Sequence, residues 1–210
     1  MHQVTKEYLT SLIQRDHWLY DYKDRAKEMG VPVITDDVLK LIQVLIESNQ
    51  VKKILEVGTA IGCSAMFFAE FSGLDGQITT IERHDEMCQK AVDNFNEYGY
   101  RERIHCIHGE AQDVLSDIND SFDLIFLDGA KGHYLHMLDD CLRLLRVGGL
   151  LVCDNVLFRG MVAGTRPLIR RKITIVKRLR KFLSEISSRE DLITSILPIG
   201  DGVSISVKKY

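Results

Sequence analysis

The sequence predicts a doubly wound α/β fold: a mostly parallel, seven-stranded sheet that ends in an antiparallel hairpin and is preceded by extra helices. Three observations carry this. Five short apolar runs alternate with amphipathic stretches between Lys53 and Cys153, the pattern of strands joined by helical crossovers and buried on both faces. Two further apolar runs, 192–197 and 203–207, are separated only by Pro198-Ile199-Gly200-Asp201-Gly202, too short for a parallel return, so they pair antiparallel. Ahead of Lys53, apolar residues recur three and four apart, as they do in helices.

Residues 3–49 read as helical, with Leu9, Leu12 and Ile13, then Val38, Leu41, Ile42 and Leu45 forming the apolar stripes. Gly30-Val31-Pro32 breaks the region, and Thr35 before Asp36 and Asp37 has the form of a helix cap with acids in the first turn. The strands are expected at 54–57, 78–81, 104–107, 124–127 and 150–153, with helices near 62–72, 84–98, 111–117 and 133–145 between them. A last helix over about 168–187 precedes the hairpin.

At 210 residues, 45% hydrophobic and 27% charged, the chain has the composition of one globular domain, 1–210, with 1–50 as an amino-terminal helical cap. Collagen-like, disordered and coiled-coil classes are excluded. No apolar run approaches the roughly 18 residues of a membrane span. The start, Met1-His2-Gln3-Val4-Thr5-Lys6-Glu7, lacks the basic-then-apolar order of a signal peptide, so a cytoplasmic protein is expected. Cys63, Cys88, Cys106, Cys141 and Cys153 are odd in number and form no C-x-x-C pair, which favours buried reduced thiols over a disulfide framework or zinc site. Trp18, Tyr20 and Tyr22 suit core or a dimer contact.

The first strand runs into Glu56-Val57-Gly58-Thr59-Ala60-Ile61-Gly62-Cys63-Ser64. Glycines at a strand-to-helix turn let a ligand approach the backbone, and Glu82, at the end of the second strand, can accept hydrogen bonds from the ribose hydroxyls of an adenosine cofactor. A dinucleotide fits poorly: Ala60 stands where the pyrophosphate fingerprint wants glycine, and the Glu56 carboxylate would repel phosphate but attract an ammonium group. S-adenosylmethionine has an ammonium and a sulfonium and no phosphate. The fourth and fifth strands run into Asp128-Gly129-Ala130-Lys131 and Asp154-Asn155. Parallel strands bring their carboxyl ends to one edge, so two carboxylates and an amide converge into an oxygen site suited to Mg²⁺, Mn²⁺ or Ca²⁺, unless Asp154-Asn155 only opens a loop. His133 and His136 read as helix-surface residues beside that site.

Together these motifs resemble the cation-dependent O-methyltransferases of the catechol and caffeoyl-CoA type, over nearly the whole chain. The resemblance implies a Rossmann-like class I methyltransferase fold and a homodimer. It implies that Glu56, Gly58, Ser64, Glu82, Gln112 and Asp128 line the S-adenosylmethionine site, with Thr59 and Gly62 in its turn, and that Asp128 is catalytic together with Lys131. It further implies that Asp128, Asp154 and Asn155 hold a divalent cation, Mg²⁺ foremost, and that Lys131 is the general base.

From Val156 to Ser184 nine residues are basic and none is acidic, leaving the rest of the chain with a balance of −12. Projected on a helix, Arg170, Arg171, Lys177, Arg178 and Lys181 form one stripe, opposite an apolar face of Leu168, Ile169, Ile175, Val176, Leu179, Phe182, Leu183 and Ile186. A small catechol needs no such stripe and a CoA ester would use two or three cations, whereas an RNA backbone would use more. 5-Hydroxyuridine offers two adjacent oxygens, as a catechol does. Asn155-Val156-Leu157-Phe158-Arg159-Gly160 and the arginine-rich segment after it resemble the bacterial tRNA 5-hydroxyuridine methyltransferases. The resemblance implies tRNA as partner through 159–181, with a small phenol as the alternative acceptor.

Overall fold

A computed structural model describes residues 3–210; Met1 and His2, part of the amino-terminal reading above, lie outside the described residues. Helices α1 (Gln3–Ser11), α2 (Leu19–Glu28) and α3 (Asp36–Ser48) come first. Strands and helices then alternate: β1 (Lys53–Val57), α4 (Cys63–Phe71), β2 (Gln77–Glu82), α5 (Asp85–Glu97), β3 (Ile104–His108), α6 (Ala111–Asp117), β4 (Phe122–Leu127), α7 (Tyr134–Leu144) and β5 (Leu145–Cys153). Last come α8 (Ile173–Ser188), β6 (Leu192–Leu197) and β7 (Val203–Lys208).

The sheet has the order β3-β2-β1-β4-β5-β7-β6. The first five strands are parallel, and β7 runs antiparallel to both β5 and β6. Alternation along the strands explains why both faces are covered. Ile54, Leu124 and Phe126 point into a core with Val38, Ile42, Phe67, Phe68 and Phe95 from the helices of one face. Their neighbours Leu55, Ile125 and Leu127 point into a second core with Leu115, Tyr134, Met137, Val176 and Phe182 from the other. The strand order reverses between β1 and β4, where sheets of this kind bind ligands.

Three local expectations are corrected. A break at residues 12–18 separates α1 from α2, besides the expected one near Gly30. Thr35 sits at the start of α3 but its side chain does not cap the helix: its hydroxyl donates to Asp37, whose carboxylate accepts the Val38 N–H at 3.0 Å. The last α-helix starts at Ile173, preceded by a 3₁₀ turn over Arg170–Lys172, so Leu168 and Ile169 are 48% and 49% exposed instead of buried. Three successive cations at a helix start oppose its dipole, and a proline at 167 disfavours helical backbone in the residue before it. Tyr20 and Tyr22 are buried as expected, while Trp18 packs on Tyr98 at the surface. All five cysteines are free and four of them buried. Among the described residues no helix is long and apolar enough to cross a membrane.

Candidate active site

A cavity of about 550 Å³ opens where the carboxyl ends of β1, β2, β4 and β5 meet. Gly58, Thr59, Ser64, Glu82, Asp128, Lys131, Asp154 and Asn155 all line it, so eight of the residues singled out in the sequence share one hollow. A smaller hollow of about 60 Å³ adjoins it, walled by Gly58, Ile81, Glu82, Gly109, Ala111 and Gly129. Three expected residues line neither. Glu56 is fully buried behind the turn, Gly62 begins α4, and Gln112 is exposed on α6.

The turn after β1 is built around backbone contact. Gly58 has φ +106°, and a Cβ there would stand 2.8 Å from the Gly129 nitrogen, so only glycine lets the ends of β1 and β4 pack this closely. Gly62, at φ +87°, would drive a Cβ to 2.3 Å from the Phe95 ring; its role is to let α5 pack beneath the turn. Glu82 is fixed by two backbone donors, Ala60 N–H to Oε2 and His84 N–H to Oε1, each at 2.9 Å, which leaves lone pairs on both oxygens facing the cavity. Behind the turn, Thr80 donates to Glu56 Oε2 at 2.6 Å and is itself 2.6 Å from the Thr59 hydroxyl. Glu56 Oε1 has no partner. Burial pushes the Glu56 carboxyl up to about 7, against the opposing pull of the nearby Ser64 and Thr80 hydroxyls.

The acidic cluster is equally constrained. Cys153 is in register with Leu127, so Asp154 and Asp128 leave neighbouring strands side by side. Asp154 is 3% exposed, accepts the Asn155 N–H at 2.5 Å, and is pushed up to about 7 by burial and then by Asp128. Burial also raises Asp128, opposed by Lys131, whose ammonium donates to Asn155 Oδ1 and stands 3.5 Å from Asp128 Oδ1. Asn155 takes the left-handed conformation, φ 57°, that brings its side chain into this group. Among the described residues no three His, Cys, Asp or Glu side chains form a metal-holding group; the oxygens gathered here are those of Asp128, Asp154 and the Asn155 amide. That set of hard oxygens, with carboxylates crowded together and only partly offset by Lys131, fits a divalent cation.

Several participants carried no local signal. Asp201, in the β6–β7 turn, adds charge beside Asp154 and accepts the Arg159 N–H at 2.5 Å. The buried Tyr134 hydroxyl lies 2.9 Å from the Leu127 carbonyl and 3.1 Å from that of Asp154, clamping the two strand ends. Pro32 to Thr35, where the sequence reads as a break at Pro32 and a helix cap at Thr35, forms a wall of the cavity. His133 and His136 are exposed, as expected. Phe158, Lys172, Ile175 and Arg178 form the rim. Arg178 donates to the Gly132 carbonyl at 3.3 Å, and Arg180 ties the 156–166 segment to α8 through the carbonyls of Val162 and Met161. None of the nine basic residues between Val156 and Ser184 forms an ion pair among the described residues.

Comparison with known proteins agrees with this geometry. The O-methyltransferase family profile matches residues 6–209. A candidate O-methyltransferase of Mycobacterium marinum is 32% identical over 198 residues, covering 93% of this chain and 87% of the relative. The solved structure of a candidate caffeoyl-CoA O-methyltransferase from Staphylococcus aureus is 34% identical, with a TM-score of 0.91 over 98% of this chain and 100% of that one. The O-methyltransferase TomG of Streptomyces achromogenes, solved with S-adenosylmethionine, shares the fold at 24% identity, with a TM-score of 0.83 over the full length of both chains. The chain belongs to the O-methyltransferase family.

Proposed function

We propose that this chain transfers a methyl group from S-adenosylmethionine to the 5-hydroxyl of 5-hydroxyuridine in tRNA, giving 5-methoxyuridine, with a divalent cation, Mg²⁺ foremost, held by Asp128, Asp154 and Asn155. The observation that carries the acceptor is the rim. Lys172 and Arg178 border the cavity that contains Asp128, Lys131 and Asp154, and on the adjoining 3₁₀ turn and α8 the side chains of Arg170, Arg171, Lys177 and Lys181 form no ion pair among the described residues. Cations left unpaired around a deep hollow suit a polyanion whose one base enters while its phosphates remain outside. A free phenol would make no use of the exposed charges of Arg170, Arg171, Lys177 and Lys181.

The cofactor reading rests on complementary groups. Glu82, oriented by two backbone donors, is the acceptor for the ribose hydroxyls, and Gly58 and Ser64 on the cavity wall, with the buried Glu56 carboxyl behind them, suit the ammonium end. Ile81 and Ala111 give the smaller hollow apolar walls for the adenine ring. A bound divalent cation supplies a fixed positive charge that lowers the pKa of an acceptor hydroxyl. Lys131, on the cavity wall between Asp128 and Asn155, is the base: after its ammonium releases a proton to solvent, the neutral amine takes the acceptor's proton. The reading includes a homodimer, supported by the exposed Val4, Tyr8 and Leu9 on α1 and Leu12 just after it.

Incubation with S-adenosylmethionine, Mg²⁺ and either hydroxyuridine-bearing tRNA or caffeic acid and its CoA ester tests the acceptor. Methoxyuridine in the tRNA is the expected product. Methylation of the small phenols alone would contradict the reading.

A further inference from the structure

We infer that Cys88 and Cys106 form a reversible disulfide site whose oxidation loosens the cofactor turn. Their sulfurs stand 2.9 Å apart, one on α5 and the other on the edge strand β3. A disulfide bond of about 2.05 Å would need the sulfurs to close by about 0.9 Å, within reach of small side-chain adjustments. No other pair among the described cysteines stands in hydrogen-bond contact, and Cys106 is the one of the five that is only partly buried.

The pair is wired to the site. Cys106 Sγ is 3.8 Å from the Thr59 hydroxyl, Thr59 is 2.6 Å from Thr80, and Thr80 donates to Glu56. Each hydroxyl has one proton, which sets the direction. Thr80 spends its proton on Glu56, so Thr59 donates to Thr80, and the Cys106 thiol donates to Thr59. Thr59 lines the cavity, and Glu56 carries the unpartnered oxygen behind it. Oxidation removes both thiol protons and draws Cys106 toward Cys88. Thr59 then loses its donor, and the support of the turn is weakened.

The chemistry balances with a peroxide as oxidant. The Cys106 thiolate attacks hydrogen peroxide, giving a sulfenic acid and hydroxide. The Cys88 thiol then displaces the sulfenic oxygen as water, so two thiols and one peroxide become one disulfide and two waters. Burial pushes the Cys106 thiol up, which keeps the thiolate scarce at neutral pH and makes this a slow response, not a fast sensor.

The effect on affinity rests on the S-adenosylmethionine reading; the disulfide does not, and one experiment separates them. The intact cofactor-free protein is treated with hydrogen peroxide, then analysed by intact mass, peptide mapping and calorimetry with S-adenosylmethionine. The expected result is a loss of two hydrogens, one cross-linked peptide pair containing Cys88 and Cys106, and full reversal by a dithiol reductant. Affinity for S-adenosylmethionine should fall about fivefold or more on oxidation, the lower range of couplings between sites. Cys88→Ser should bind the cofactor like the reduced parent and lose the response to peroxide. Sulfinic acid at Cys106 without a cross-link, or thiols that stay free, would overturn the site. A disulfide that leaves affinity unchanged would overturn the coupling. Failure of the reduced protein to bind S-adenosylmethionine would overturn the cofactor reading and leave the mass result standing.

Discussion

A carboxylate buried at the end of a strand needs hydrogen bonds to replace its lost hydration, and Glu56 has them on one oxygen only. Its folded-state pKa of about 7 lies above the ordinary 4.5. The folded chain therefore keeps a proton that the unfolded chain releases. The destabilisation is absent below the unfolded value, grows as pH rises toward 7 and is complete above it. Glu56→Gln removes this penalty. In thermal melts of the cofactor-free protein it should raise stability at about pH 8 by up to about 3 kcal/mol and change it little in mild acid. A gain independent of pH would show that the carboxyl is not the cause. Glu82 is the opposite case, with both oxygens already held by backbone N–H groups and the remaining lone pairs free for a ligand. Glu82→Ala should weaken S-adenosylmethionine binding by about 1.5–3 kcal/mol, the range for hydrogen bonds to a charged group. An unchanged dissociation constant in calorimetry would move the ribose elsewhere.

Strand ends explain what could be read in advance. Asp128 and Asp154 each follow an apolar run, and parallel strands deliver their carboxyl ends to one edge, so the pair was legible from two short motifs. The proposed cation site then depends on two neighbouring strands. Asp154→Ala should lower methyl transfer by at least the 10–100-fold seen when mere outer-shell partners of a metal are lost, and EDTA should do the same while cofactor binding persists. Full activity of the parent in EDTA would exclude a catalytic cation. Other parts of the site were not legible because the fold brings them in from a distance. Asp201 arrives on the hairpin turn, Pro32 to Thr35 on the approach to α3, and Tyr134 as what looks like an ordinary apolar residue of a helix. The start of α8 was misjudged for a different reason. Apolar spacing continued through Leu168 and Ile169, but three cations at 170–172 and Pro167 delay the α-helix until Ile173. Gln112 came from resemblance alone, and the structure places it exposed on α6, next to Ala111 of the smaller hollow.

At the scale of the whole molecule, a net charge of −3 conceals a cationic rim on an acidic body. Such a field favours the approach of a polyanion at the cavity mouth and repels it elsewhere. The apolar side of α8 is buried through Val176, Leu179, Phe182 and Ile186, so its exposed cations can be changed without touching the core. Arg171, Lys177 and Lys181 are the ones to reverse, because Arg178 also holds the Gly132 carbonyl beside Lys131. The most direct measurement is the rate of tRNA methylation against salt concentration for the parent and for the Arg171→Glu, Lys177→Glu, Lys181→Glu triple variant. For the parent at limiting tRNA, each phosphate contact releases counterions, so the rate should fall steeply as salt rises. In the triple variant methylation should be largely lost, with the melting temperature and S-adenosylmethionine affinity unchanged. Equal tRNA methylation by both proteins at every salt concentration would contradict an RNA acceptor held by the exposed cations that flank the cavity.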